Sequence, residues 1–91
     1  MDLRQLEYFE SVSGHRSFRQ AARALGLAQP TLSVQLRQLE HELGVPLIDR
    51  SNRPIRLTKA GETLQRRLPR IFNELSELRT ELAEIAETQP G

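Results

Sequence analysis

A mainly α fold is predicted: a winged helix-turn-helix of three helices and a two-stranded wing, followed by a long dimerising linker helix. Three observations predict it. Apolar residues recur at helical spacing in three short stretches punctuated by Gly14, Gly26 and Gly44. Residues 47–57 drop that period around a polar, basic turn. The last third carries leucines and isoleucines on a seven-residue repeat. At 91 residues the chain fits one small domain, too little for a multidomain enzyme.

The elements follow in order. Asp2 is a good N-cap, and Leu3, Leu6, Phe9 and Val12 then make an amphipathic helix over 3–13, which Gly14 is expected to end. Ser17 caps a shorter second helix with Phe18, Ala21, Ala22 and Leu25 inward, closed by Gly26 in a left-handed C-cap. Proline is tolerated in a first helical turn, so Gln29-Pro30 opens a third helix that reaches about Leu43. Gly44 and Pro46 stop it. Leu47-Ile48 and Ile55-Arg56-Leu57 read as short strands around Asp49-Arg50-Ser51-Asn52-Arg53-Pro54.

Thr58 caps the last helix, with Glu62 one residue late for a strict capping box. Leu64, Leu68, Ile71, Leu75, Leu78, Leu82 and Ile85 then alternate steps of four and three, a dimerisation seam. At about 1.5 Å per residue, a helix over 59–87 is roughly 43 Å long, more than the first 58 residues can cover. Pro69 predicts a kink or restart within it. The organisation expected is thus a winged helix-turn-helix at 1–58, a linker helix at 59–87 and a hinge or disordered tail at 88–91.

Composition excludes several functions. There is no cysteine, and His15 and His41 lie 26 residues apart, so neither a disulfide framework nor a metal-ligand spacing exists. No apolar run nears the roughly 20 residues a membrane span needs, and the amino terminus carries acids where a signal peptide is basic, so a soluble intracellular protein is expected. The net charge of +1 hides an asymmetry: residues 16–59 hold eight basic and three acidic side chains, residues 62–91 four and six. A basic globular part points to a polyanion, and an acid-leaning tail to a helix that meets water and protein.

The third helix tests that reading. At about 100° per residue with Leu32 at zero, Leu36, Leu39 and Leu43 fall within about 40° of it, forming a core stripe. Ser33, Arg37, Pro30, His41 and Val34 occupy the far side. A recognition helix presents its amino-terminal turns to base edges, which favours Gln29, Pro30, Thr31, Ser33, Val34 and Arg37 over His41. Gln29 can pair with adenine, Arg37 with guanine or phosphate, and Thr31 or Val34 can touch a thymine methyl. Arg50 and Arg53 in the wing suit a narrow minor groove or phosphate, although an exposed sheet edge also carries arginine simply to stay soluble.

The stretches LRQLEYF, SFRQAARALGLAQPTLSVQLRQLEHELGVPLIDR and RPIRLTKAGE resemble the amino-terminal DNA-binding domain of LysR-type transcriptional regulators. The resemblance covers residues 1 to about 87. It implies antiparallel pairing of linker helices, a dimer on an interrupted inverted repeat in a bacterial promoter, groove contact by Gln29, Pro30, Thr31 and Ser33, and wing contact by Arg53 beside Asn52. Ser17 and Arg19 are expected at phosphates. Two positions depart from the pattern: Ala28 stands where the family commonly has a capping serine, and Val34 where it commonly has a basic residue. The family usually continues into a ligand-sensing domain, so an excised fragment is expected, with a natural short form as the alternative. Any small-molecule effector would belong to that missing domain, and no cofactor to this chain.

The expected function is sequence-specific binding of double-stranded promoter DNA by a cytoplasmic bacterial regulator. The expected partner is a second copy, a higher oligomer being compatible with a full-length protein, and no membrane is involved. The competing class is a protein-interaction module in which the last helix is an assembly coil and the basic hairpin incidental. Salt-dependent duplex binding separates the two. Catalysis lacks a constellation, since no motif places a carboxylate or nucleophile beside either histidine and no glycine-rich phosphate loop is present. RNA stacking lacks a platform, because the four aromatics mostly fall on core stripes.

Overall fold

The structure, a computed structural model, describes residues 1–89. Its elements are α1 (Leu3–His15), α2 (Phe18–Leu25), α3 (Gln29–Leu43), β1 (Ile48–Asp49), β2 (Arg56–Leu57) and α4 (Lys59–Thr88). The strands pair antiparallel, with Ile48 opposite Leu57 and Asp49 opposite Arg56. This is the predicted winged helix-turn-helix with its long helix. Pro90 and Gly91, which end the expected tail, lie outside the described residues; Thr88 still belongs to α4, and Gln89 caps it.

Side chains at the helix starts explain most of the boundaries. Asp2 accepts from the Gln5 backbone N–H while the Gln5 side chain accepts from Asp2, a full capping box. Ser17 Oγ accepts from the Gln20 N–H, and Thr58 Oγ1 from the Gly61 N–H. Gly14 does not end α1. The helix runs on to His15, and Arg16 takes the left-handed turn at φ 54°. From there the Arg16 carbonyl accepts the Ile55 N–H at 3.3 Å, which ties the wing to the α1–α2 corner. His15, expected in a loop, is the last helical residue, its ring Nδ1 lying 2.8 Å from the Ser11 carbonyl oxygen.

The core is built where α1, α2 and α3 meet beneath the wing. Phe9, Val12, Ala21, Leu32, Leu36 and Leu39 are fully enclosed, and Leu47, Ile48 and Ile55 close the wing side. Leu43 leaves the predicted stripe: it lies exposed at the end of α3, past the last turn that the core covers.

The linker helix requires two corrections. First, of the kink or restart expected at Pro69, the restart does not occur: α4 is one helix of 30 residues through it. Second, the seam does not begin at Leu64. The first turns of α4 pack onto α1 and β2, which buries Leu68 completely in its own chain and sets Leu64 and Phe72 against the same core. Leu68 is therefore unavailable to a second chain. Gly61 makes this seat workable, because a Cβ there would overlap the Leu47 carbonyl oxygen. The remaining seam is open: Leu75 is half-buried, while Leu78, Leu82 and Ile85 are 48%, 56% and 52% exposed.

Candidate nucleic-acid interface

The helix-turn-helix consists of α2, the turn at Gly26 with φ 69°, and α3. The turn is held by Leu27 N–H donating to the Ala22 carbonyl at 2.9 Å. α3 then starts without a side-chain cap, since Ala28 offers no acceptor. Pro30 has no N–H, and the Leu32 N–H is taken by the Ala28 carbonyl at 3.2 Å. The Gln29 and Thr31 N–H groups are left at the positive end of the helix dipole. Gln29, Pro30, Thr31, Val34 and Arg37 are all exposed, with Val34 at 52%, and Ser33 is half-buried beside them. His41 is exposed further up the helix, and Arg19 is exposed on the first turn of α2. Ser17 uses its oxygen as a cap, which leaves its hydroxyl hydrogen for an outside acceptor.

The wing is brought against this surface. Phe18, Gln29, Ser33, Arg50, Arg53 and Ile55 line one shallow concavity of about 160 Å³, so the wing tip and the amino-terminal turn of α3 share a face. Arg53 projects there exposed. Two other wing residues have internal duties. Asn52 Nδ2 donates to Asp49 Oδ2 at 3.1 Å, and Ser51 donates to Asp49 through both its backbone and its hydroxyl, so both residues help to build the turn. These bonds, the Ser51 hydroxyl first, hold the Asp49 carboxyl below its ordinary value near 3.8, with the charge of Arg56 adding a smaller pull.

Arg50 lines the same concavity and is also tied into the fold. Its Nη1 lies 2.9 Å from Glu40 Oε1, and its guanidinium sits 5.3 Å from the centre of the Phe18 ring. Nε and Nη2 are buried without a partner among the described residues. Glu40 Oε2 meanwhile accepts the Leu47 and Ile48 N–H groups at 2.7 and 3.2 Å. Arg50 thus anchors the wing to α3, while Arg53 in the turn and Arg56 on β2 stay exposed. Sequence reasoning missed Glu40. Its one trace is an acid directly beside Leu39, at the edge of the core stripe, where an unpartnered charge would be costly.

The comparisons define the class of protein. The family model for bacterial regulatory helix-turn-helix proteins of the lysR family matches residues 3–62, and the chain belongs to that family. It is a DNA-binding domain of the LysR type and not an enzyme.

Among individual proteins, the chain is 56% identical over 61 residues to a probable cat1 operon transcriptional activator of Acinetobacter lwoffii, covering 67% of this chain and 20% of that protein. It is 40% identical over all 91 residues to the DNA-binding transcriptional dual regulator OxyR of Escherichia coli K12, covering 30% of that protein. The chain therefore spans less than a third of the length of each of these two relatives. Among solved structures, the BenM DNA-binding domain with benA site 1 DNA superposes at TM-score 0.92 with 35% identity, over 98% of this chain and 100% of that one. The CbnR DNA-binding domain with DNA gives 0.83 and 37%, over 96% and 99%.

Proposed function

We propose that this chain reads promoter DNA for a bacterial transcriptional regulator, as a homodimer on an interrupted inverted repeat. α3 enters the major groove by its amino-terminal turns, and Arg53 reaches the flanking minor groove. The observation that carries this reading is the shared face of Gln29, Ser33 and Arg53, which joins two reading elements at one surface. Ser17 and Arg19 face phosphates from the amino-terminal turn of α2. Val34 reads by apolar contact, where a basic residue would seek a phosphate or guanine. The open apolar positions of α4 call for a second chain, and the complexes of the BenM and CbnR domains with DNA support duplex DNA as the ligand.

The reading places the protein in the cytoplasm, involves no cofactor, and leaves effector binding and higher assembly to regions that its longer relatives carry beyond the matched segment. No helix among the described residues is long and apolar enough to cross a membrane.

Selection of bound sequences from random duplex DNA tests this. Enrichment of an inverted repeat, lost together with dimerisation in Leu75→Glu, is the expected result. Absence of any enriched sequence, or binding indifferent to salt, would favour the protein-interaction reading instead.

A further inference from the structure

Between Glu10 and Glu40 the chain carries no acidic residue, and three of the arginines in that window follow one another across the α1–α2 corner. Arg16 stands at the corner, Arg19 three residues later on the first turn of α2, and Arg23 one turn further on. Phe18, Ala21 and Ala22 take the buried side of α2, and all three arginines are exposed. Neither ion pair among the described residues uses them: one joins the Met1 amino group to Glu42, the other Arg50 to Glu40. Glu7 and Glu10 line a separate concavity with Gly14, His15 and Leu25.

Each of these arginines stands where the fold by itself favours another residue. Arg16 has φ 54°, and the other positive φ values among the described residues belong to Gly26 and Gly44. A left-handed backbone disfavours any residue with a Cβ. The Arg16 N–H donates to the Val12 carbonyl at 2.8 Å and its carbonyl accepts from Ile55, contacts that a glycine would make as well. Arg19 is the second residue of α2, a cation at the positive end of a helix whose first turn holds no acid. Arg23 lies four residues after Arg19, so two like charges repel one turn apart. A line of negative charge laid along the row would relieve the dipole and the repulsion together, and would give the Arg16 side chain a use that the fold does not.

The row starts at the reading surface. Phe18, between Arg16 and Arg19, lines the concavity shared by Gln29, Ser33 and Arg53, and Ile55, held by the Arg16 carbonyl, lines it too. From that edge α2 leads the charge away from α3. In a helix-turn-helix whose second helix lies in the major groove, the first crosses the backbone of the duplex.

We propose that Arg16, Arg19 and Arg23 form a rail for the sugar-phosphate backbone beside the half-site, with Arg16 and Arg23 adding two phosphate contacts per chain. The inference rests on the DNA-reading proposal above, and extends it from the bases met by α3 and the wing to the strand that α2 crosses. Such contacts carry charge and no sequence information, so they strengthen binding to any duplex.

The test compares the wild type with Arg16→Gly, Arg23→Gln and the double variant, by fluorescence anisotropy over a range of salt, on a selected operator duplex and on an unrelated one. Arg16→Gly should raise Tm by about 2–5 °C, because glycine suits the left-handed turn, so weaker binding by this variant is not lost folding. Arg23→Gln keeps a good helix former. Each single variant should flatten the slope of log K against log salt by about one unit per chain, and the double by about two, on both duplexes. Unchanged slopes in the double variant, beside a wild type that binds, would overturn the rail and leave the row to an acidic protein surface. A loss confined to the operator would overturn the backbone role, since every duplex offers the same phosphates. A Tm for Arg16→Gly at or below that of the wild type would overturn the claim that this arginine is kept against the preference of the fold. A wild type without salt-dependent duplex binding would overturn the DNA-reading proposal itself.

Discussion

Replacing Glu40 by alanine removes three acceptor contacts at once, to Arg50 at 2.9 Å and to the Leu47 and Ile48 N–H groups at 2.7 and 3.2 Å. The carboxylate is enclosed, with 11% of its side chain exposed, whereas Arg50 retains 28%. Water can therefore recover part of the arginine's loss, and the pair is discounted to about 1 kcal/mol. The two backbone donors belong to residues in the core, and each costs about 1 kcal/mol or more when stranded. The total is about 3 kcal/mol, a large share of the roughly 5–14 kcal/mol expected for a domain of this size.

Urea unfolding at one fixed protein concentration should then show the midpoint falling by about 2 M, for a slope near 1.5 kcal/mol/M. Glu40→Gln keeps an acceptor and loses the charge, so it should cost about half as much. In a double-mutant cycle with Arg50→Ala, the two losses should fall short of additivity by about 1 kcal/mol. DNA affinity should fall as well, since the wing loses its hold on α3. A Glu40→Ala midpoint within about 0.5 M of wild type would refute this reasoning.

Three further outcomes are expected. Gly61→Ala sets a small helix-propensity gain against overlap with the Leu47 carbonyl oxygen and a 3.2 Å approach to Leu57 Cβ; the overlap should win, lowering stability by about 2–3 kcal/mol in the same urea assay, and a gain would show that the α4 seat is loose. Ala28→Ser supplies the acceptor that the start of α3 lacks and should raise Tm by about 3–6 °C, an unchanged Tm meaning that the first-turn donors are already satisfied. Asp49 has a depressed folded-state pKa, so its contribution to wing order is present above the ordinary carboxylate range and is lost as pH falls through the folded value; carbon-detected NMR should find its titration displaced to lower pH, and Asn52→Ala should move it back up.

The parts legible in the sequence are those that a local period or cap dictates. Leu32, Leu36 and Leu39 announce their face through spacing alone, and Ser17, Thr58 and Gly26 act where their chemistry places them. What was not legible depends on contacts between distant residues. A seven-residue repeat marks Leu68 and Leu82 identically, yet one is enclosed by α1 and the other is open, because the repeat does not say which surface covers it. Arg50 and Arg53 look alike in a basic turn until Glu40, ten residues before Arg50, claims the first. Gly14 looks like the end of α1, but the wing needs the Arg16 carbonyl, and that demand falls two residues later.

The most direct test of the DNA-reading surface is the salt dependence of duplex binding for the wild type and Arg53→Ala. Arg53 is an exposed wing arginine on the face shared with Gln29 and Ser33. The slope of log K against log salt should become shallower by about one unit per chain in the variant, with affinity reduced at every salt concentration. Superimposable slopes and affinities would contradict the interface and take the wing out of it.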